Sequence, residues 1–482
     1  MPNPFVLTFT LRQHTPLIHF QRDQAEASLR PTELKPKLDN FIFQHLLKDK
    51  EHDKELPPSV AFKKYVQEHQ SAEWATWLVA SGHAEHAALD YKLSIEPVAV
   101  QHFNIGTSLY KDGQIQWSNQ FPTFFANMNQ DIPSEEKRFF SYTDQPLRCK
   151  LKCLNVKLMA YFRATENGAT RLQNLLHDFF MRHNFGMRQS KGFGCFTLET
   201  YSERPVTLDI GRYEFVFRLT QNAAGKSRNE VNVYADTAQK RELHSNWYHL
   251  FERIDLFYRT LRSGINIPSR HNPFYFKSLL FHWAKNQPTP QQWDKKTIRL
   301  YLFGGGNGQR AHAEYDRIHH DDPNGTFNWS PPTNTPSPET KYMYRDLLGL
   351  ASEQEWGKYG ATVKKKVTKG DDELKRFKSP ILFKPILSAG EWAVVIWCSE
   401  IPAAYLGATV EVTAEGSKGN RANDRDGSIS LENPTAFSVA DYLRYAIASF
   451  NDADRADLVG QGQERHDRME IISKIYKSLG SK

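Results

Sequence analysis

The chain has little cysteine. Four cysteines in 482 residues are too few for a disulfide framework. Cys149 and Cys153 lie four apart, but Cys195 and Cys398 supply no second pair at zinc-knuckle spacing, so no structural metal is expected and all four thiols are read as reduced, mostly buried side chains. Long apolar runs are missing too: nowhere do about 18 apolar residues follow one another, which excludes an ordinary membrane-spanning helix. The opening Met-Pro-Asn-Pro-Phe has neither the basic stretch nor the apolar core of a secretory signal. The expectation is a cytoplasmic protein with no membrane partner and no cofactor.

Aromatic residues are plentiful, with 31 Phe, 20 Tyr and 10 Trp. The net charge of +7 and pI near 8.9 suit a polyanionic partner without requiring one. The length exceeds what one ordinary core serves, and two or three domains follow from it.

Phe5–Leu11 alternates apolar and polar side chains and reads as a strand, broken by Thr15-Pro16. Leu34, Leu38, Phe41, Ile42 and Leu46 recur at helical spacing, so a helix begins near Thr32 or just after Pro36. Residues 49–88 are polar and look like an insertion. Leu89–Val100 and Cys153–Phe162 alternate as a second and a third strand, joined by a long decorated connection over 101–148. Asn167–His183 is a clear amphipathic helix. It leads into Asn184-Phe-Gly-Met-Arg-Gln-Ser-Lys-Gly-Phe-Gly194 and a fourth strand over Phe193–Glu199. The order is βαββαβ, the ferredoxin-like (RRM-like) pattern of an α+β fold, which leaves one sheet face free for a ligand. Gly186, Gly192 and Gly194 permit positive φ and close approach, while Arg188 and Lys191 place cations beside the amides, a loop suited to a phosphodiester backbone.

Near Arg204-Pro205 the pattern restarts, giving domains 1–205 and 206–482. Tyr213–Leu219 and Ile298–Phe303 read as strands, Trp247–Leu261 and Asn272–Ala284 as helices, and Gly304–Gly308 as a glycine turn. Residues 319–340 and 414–428 have loop composition. Ser379–Ile386 and Trp392–Trp397 are buried strands, and helices over Ala440–Phe450 and Arg465–Leu479 close the chain.

Three motifs in this order, Thr15-Pro-Leu17, Leu29-Arg-Pro-Thr-Glu-Leu-Lys35 and Arg188-Gln-Ser-Lys-Gly-Phe-Gly194, resemble the RAMP superfamily of CRISPR-associated proteins. Tyr344-Arg-Asp-Leu-Leu-Gly-Leu350 and Arg376-Phe-Lys-Ser-Pro-Ile-Leu-Phe383 resemble the second domain of the first RAMP subunit of Cmr-type (type III-B) effector complexes. The resemblance implies two ferredoxin-like domains with large insertions and a helical C-terminus. It also implies a subunit of an effector ribonucleoprotein, with guide RNA, target RNA and other effector subunits as partners. By the same resemblance Gly186, Arg188, Ser190, Lys191, Gly192 and Gly194 contact the RNA backbone, with Arg30, Thr32 and Lys35 in the same groove. Where the family has an early glycine-rich segment, this chain has Ile18-His-Phe-Gln-Arg22.

Two further readings stay open. Metal-independent repeat-processing nucleases of the same fold use a histidine as general acid/base, and His14, His19 and His45 are the candidates here; a scaffold contacting only protein is the other. His312, His319, His320, Asp321 and Asp322 sit too close together in a loop to converge on a metal, and neither Asp131 nor Asp144 is marked as special. The basic stretch 361–378, with Lys364–Lys366, Arg376 and Lys378, reads equally as a solvated face or as phosphate contacts. Phe103, Tyr110, Trp117, Phe121, Phe124 and Phe125 either stack bases or pack the insertion.

Overall fold

A computed structural model describes residues 3–18, 28–79, 85–96, 98–104, 107–111, 114–118, 139–220, 238–267, 272–287, 294–295, 298, 342–350, 352–356, 361–374, 377–415, 428–451, 458–460 and 462–480. They divide into two compact units. The first comprises Met1–Glu214, Leu219–Phe251 and Phe383–Val395, and the second Phe215–Arg218, Glu252–Leu382 and Ile396–Lys482.

The first unit opens with β1 (Val6–Gln13) and the short β2 (Leu17–Ile18), then α1 (Pro31–Leu47), α2 (Pro58–Glu68) and α3 (Ala72–Ala75). After β3 (Lys92–Ile95) come β4 (Gln101–Asn104), β5 (Thr107–Lys111), β6 (Gln114–Ser118), β7 (Phe139–Tyr142) and β8 (Leu147–Lys152). Next are α4 (Val156–Arg163), β9 (Thr165–Glu166), β10 (Ala169–Thr170), α5 (Arg171–Arg182), β11 (Phe196–Tyr201) and β12 (Arg204–Pro205). The main sheet runs β12-β11-β1-β8-β3 with antiparallel neighbours.

The third strand is not where its alternation placed it. Cys153–Phe162 holds α4, because Asn155 caps its start by accepting the Leu158 N–H at 3.0 Å. Leu158, Met159 and Phe162 then bury one helical stripe, and the strand is Leu147–Lys152, which begins at the very end of the 101–148 connection and runs on past it. The described part of 49–88 also contributes to the core, through Ala61, Phe62, Val66 and Trp77. Phe62 of α2 stacks on Phe43 of α1 with ring centroids 4.5 Å apart, and Trp77 meets Tyr161 at 4.8 Å. Both are buried with Phe9, Leu38, Phe162 and Phe180 in one apolar cluster.

Helix α1 starts at Pro31, whose missing N–H is harmless in a first turn, and continues through Pro36. Helix α5 buries Leu172, Leu175, Leu176, Phe179 and Phe180, and Phe9 of β1 meets Phe180 at 6.5 Å. The sheet thus packs one face on the helices.

The remaining elements are β13 (Val216–Thr220), α6 (Ala238–Arg262), β14 (Ile265–Ile267), β15 (Phe274–Phe276), α7 (Leu279–Lys285), α8 (Tyr344–Leu347), β16 (Glu353–Trp356), β17 (Ala361–Lys369) and β18 (Asp372–Leu374). They are followed by β19 (Ile381–Ser388), β20 (Glu391–Cys398), β21 (Thr409–Glu415), β22 (Ile429–Glu432), α9 (Val439–Asn451) and α10 (Asp467–Gly480). Asn272–Ala284, expected to be a helix, holds β15 before α7. The second unit's sheet runs β16-β17-β21-β22 with β18 on β17, so its described strands do not repeat the first unit's order. Its helices close on Tyr476, which stacks on Phe450 at 4.1 Å and shares a 2.8 Å hydrogen bond with Thr260.

The molecule is therefore mixed α and β, with several antiparallel sheets. Among the described residues no helix is long and apolar enough to cross a membrane. Residues 299–341, which include most of the expected strand at Ile298–Phe303, the 304–308 turn and the 319–340 loop, lie outside the described residues, as do 416–427.

Candidate nucleic-acid interface

After α5 the chain leaves the helix at His183, and Phe185 N–H donates to Gly194 O at 3.0 Å, which closes the glycine stretch on itself. At its tip lies one 3-10 turn, Gln189–Lys191, entered through Arg188 at φ 59° and left through Gly192 at φ 95°. The Thr15–Ile18 segment runs alongside. The Thr15 hydroxyl donates to Gly192 O at 2.6 Å and accepts the Cys195 N–H at 3.0 Å. Gly194 N–H reaches Pro16 O at 2.8 Å, and Met187 N–H reaches Ile18 O at 2.9 Å. The two motifs that looked separate in sequence are one hydrogen-bonded unit.

That closeness is why glycine is needed. A Cβ on Gly186 would stand 2.5 Å from Ile18 O and 2.6 Å from the Leu17 Cδ1. Gly186, Gly192 and Gly194 are buried, and their N–H groups donate to Glu33, Gln189 O and Pro16 O, which corrects the expectation that their amides lie open to a phosphodiester. Phe193 between them is buried and stacks on Phe251, ring centroids 3.8 Å apart.

What the tip offers outward is side chain: Arg188, Ser190 and Lys191 are each partly exposed. Beside them stands the start of α1, because Glu33 accepts the Gly186 N–H at 2.8 Å and pairs with Lys37 at 2.8 Å. Arg30 occupies the N-cap without a side-chain cap bond, and Thr32 is exposed. Lys35 is the exception. Its ammonium bonds Asp39 at 2.7 Å and Leu89 O at 2.9 Å and lies 4.4 Å from the Tyr91 ring centroid, so it is a core fastening and not a groove cation. Burial raises the Asp39 carboxyl above its usual range against the pull of Lys35. Glu33 and Lys37 were missed in sequence, although their i, i+4 spacing at the start of α1 was a usable signal.

Beneath the turn sits Lys384, fully buried. It donates to His183 O at 2.9 Å, Asn184 Oδ1 at 3.1 Å and Phe196 O at 2.8 Å. Burial lowers its pKa. Asn184 in turn donates to Gln189 O at 2.8 Å and Phe383 O at 2.9 Å.

His14 lies in the same buried layer. Leu387 N–H donates to its Nδ1 at 3.1 Å, so the proton sits on Nε2 and is given to Thr197 Oγ1 at 2.8 Å. Burial, with Lys384 and Arg12 nearby, lowers its pKa to about 3. A sealed, neutral imidazole with both nitrogens engaged is a packing group, and the expectation that His14 serves as a general acid/base is corrected on that ground. His45 is exposed near the C-terminal end of α1, away from the turn beside its first residues, and His19 lies outside the described residues.

In the second unit the basic stretch is largely matched. Lys364 bonds Glu415, Lys366 lies 3.6 Å from Glu373, and Lys369 donates to Leu406 O at 2.6 Å. Lys365 is buried on Asp346, 2.7 and 2.8 Å from its two oxygens. Arg345 meets Asp294 at 2.6 Å, and Arg262 Nη2 donates to Gly349 O at 2.7 Å. The Tyr344–Leu350 motif is thus a charge knot in a core. Lys378 is exposed, and Arg376 lies outside the described residues. Among the described residues no group of three or more His, Cys, Asp or Glu gathers as a metal site; His312 and the 319–322 cluster lie outside them.

The Thr-Pro-Leu segment, the start of α1 and the glycine turn, the three motifs that resemble the RAMP superfamily of CRISPR-associated proteins, thus meet at one place, and the sequence comparisons agree with that resemblance. Residues 5–265 match the Cmr1 N-terminal domain and residues 275–467 the Cmr1 C-terminal domain. The chain belongs to the Cmr1 family and is a Cmr-complex subunit of type III CRISPR systems. No curated protein and no solved structure matches it.

Proposed function

We propose that this subunit binds RNA, holding guide RNA or the guide–target duplex by its ribose-phosphate backbone at the 188–191 tip and the start of α1. The observation that carries the reading is the Glu33–Gly186 hydrogen bond. It ties the first turn of a 17-residue helix, whose leading N–H groups carry partial positive charge, to a tip bearing Arg188 and Lys191. Ser190, Thr32 and Arg30 add donors at the same edge. The three glycines act indirectly, by letting the turn lie flat on Leu17 and Ile18.

The first unit is, in this reading, a ferredoxin-like domain. Taking its four long strands by chain order, the sheet reads fourth-first-third-second, with α1 and α5 in the core on one face, as a βαββαβ unit requires. The assignment is made for the first unit alone. Other effector subunits are its protein partners, and no observation favours a nuclease.

The test is binding of the purified chain to guide-length RNA across a salt series. Arg188→Ala with Lys191→Ala is expected to weaken affinity several-fold and to flatten the salt dependence by about one unit or more. Affinity and slope equal to the unmodified chain would remove this reading.

A further inference from the structure

We propose that the open face of the first unit's sheet is a second RNA-backbone surface, one that follows ribose-phosphate without reading bases. The proposal rests on the reading that RNA is the partner, but on different residues from the 188–191 tip.

Strand alternation creates the face. Strand β8 buries Leu147, Cys149 and Leu151 toward the helices and exposes Arg148, Lys150 and Lys152 on the other side. Strand β1 buries Leu7, Phe9 and Leu11 likewise, leaving Thr8, Thr10 and Arg12 on the open side. The register assembles them: Thr10 stands opposite Arg148 and Thr8 opposite Lys150, while from the other flank Ser94 meets Lys150 and Lys92 meets Lys152. Three cations at every second residue of β8 make a straight row with about 7 Å between neighbours, a spacing like that of successive phosphates on an extended strand.

The charge is mostly uncompensated. Lys150 pairs with the partly exposed Glu96 at 2.6 Å. Among the described residues, Arg12, Lys92, Arg148 and Lys152 make no ion pair. Glu199 is half-buried at the bulge opposite Thr10 and Leu11. Hydroxyls stand among the cations, with Thr10 and Thr200 sharing a 2.8 Å hydrogen bond.

The side chains also select the occupant. Protein interfaces centre on aromatic and aliphatic anchors and are depleted of lysine. Of the side chains this face presents along β1, β8 and β3, Val6 alone is apolar and none is aromatic. Cations and hydroxyls without anchors fit a polyanion, and without aromatic platforms there is nothing on which bases would stack.

The experiment uses the full chain and an unstructured RNA oligomer, measured across a salt series. R148Q/K150Q/K152Q is expected to lower the slope of log affinity against log salt by about two, since each single-strand phosphate contact contributes about 0.7. The loss is expected to be equal for uridine and adenosine homopolymers and to be restored in R148K/K150R/K152R. The single changes R148Q and K152Q, at exposed positions, give the same direction should the triple variant fold poorly. An unchanged slope in the glutamine variants, with R188A/K191A weakened, overturns this face and leaves the tip reading standing. The reverse result supports the face and removes the tip. Unchanged RNA binding by the triple variant, with loss of an acidic effector subunit from the complex, overturns it in favour of a protein partner. No RNA binding by the unmodified chain overturns both readings.

Discussion

The Glu33 carboxylate accepts the Gly186 N–H at 2.8 Å, across a separation of 153 residues in the chain. A charged acceptor on a partly buried amide contributes about 1.5–3 kcal/mol. Glu33→Ala is therefore expected to lower the melting temperature and to speed amide exchange in the peptide containing Gly186. Glu33→Gln keeps an acceptor and should retain most of the protection. Hydrogen exchange read by mass spectrometry checks both.

Two glycines with similar backbone angles should respond differently to alanine. Gly194 sits at φ +64° with the Phe185 carbonyl in the place a Cβ would take, whereas Gly168 sits at φ +80° with nothing within 4 Å. Gly168→Ala is expected to cost about 1 kcal/mol from backbone strain alone, and Gly194→Ala at least about 3 kcal/mol, because the turn must lift off its neighbours. Denaturant unfolding of the two variants measures the gap.

His14 makes stability depend on pH. Its folded pKa is lowered to about 3 from an ordinary 6.5, so the unfolded chain takes up a proton first and acid favours unfolding. The contribution is fully present above pH 6.5 and is lost as pH falls toward about 3, at roughly 1.4 kcal/mol per unit from this group. A variant His14→Gln should show a shallower fall in melting temperature over that window. Identical pH profiles would contradict the assignment.

Lys365 and Asp346 form a pair with both side chains almost completely buried. Removing one partner strands the other charge, so Lys365→Met alone is expected to destabilise by about 3–5 kcal/mol. Replacing both with apolar residues of similar size should recover much of that loss. Calorimetry on the two single variants and the double variant gives the coupling.

Lys384 holds three acceptors beneath the glycine turn. Lys384→Met leaves two carbonyls and an amide oxygen without their donor, and a loss of several kcal/mol is expected. The tip should loosen with it, so RNA affinity falls even though the ammonium itself is buried. Were affinity unchanged while stability fell, the tip would not depend on this floor.

Local pattern was enough for α5, for β1 and for the closing helices, because amphipathic spacing over a long element is a strong signal. It was also enough for the order of the motifs that place the chain in its family. Pattern misled at Cys153–Phe162, where a few alternating residues suit a strand and a helix equally and the Asn155 cap decided between them. Residues 49–88 read as an insertion because they are mostly polar and charged, yet Phe62 and Trp77 complete the core on α1 and α4. The sequence by itself determined which residue types gather at the turn. Only the tertiary structure decided that its glycines face inward, that Lys35 and His14 are committed to internal partners, and that three alternating cations of β8 share one open face. The reason is physical: burial and pairing are properties of what lies opposite a residue, and what lies opposite is contributed by segments far away in the chain.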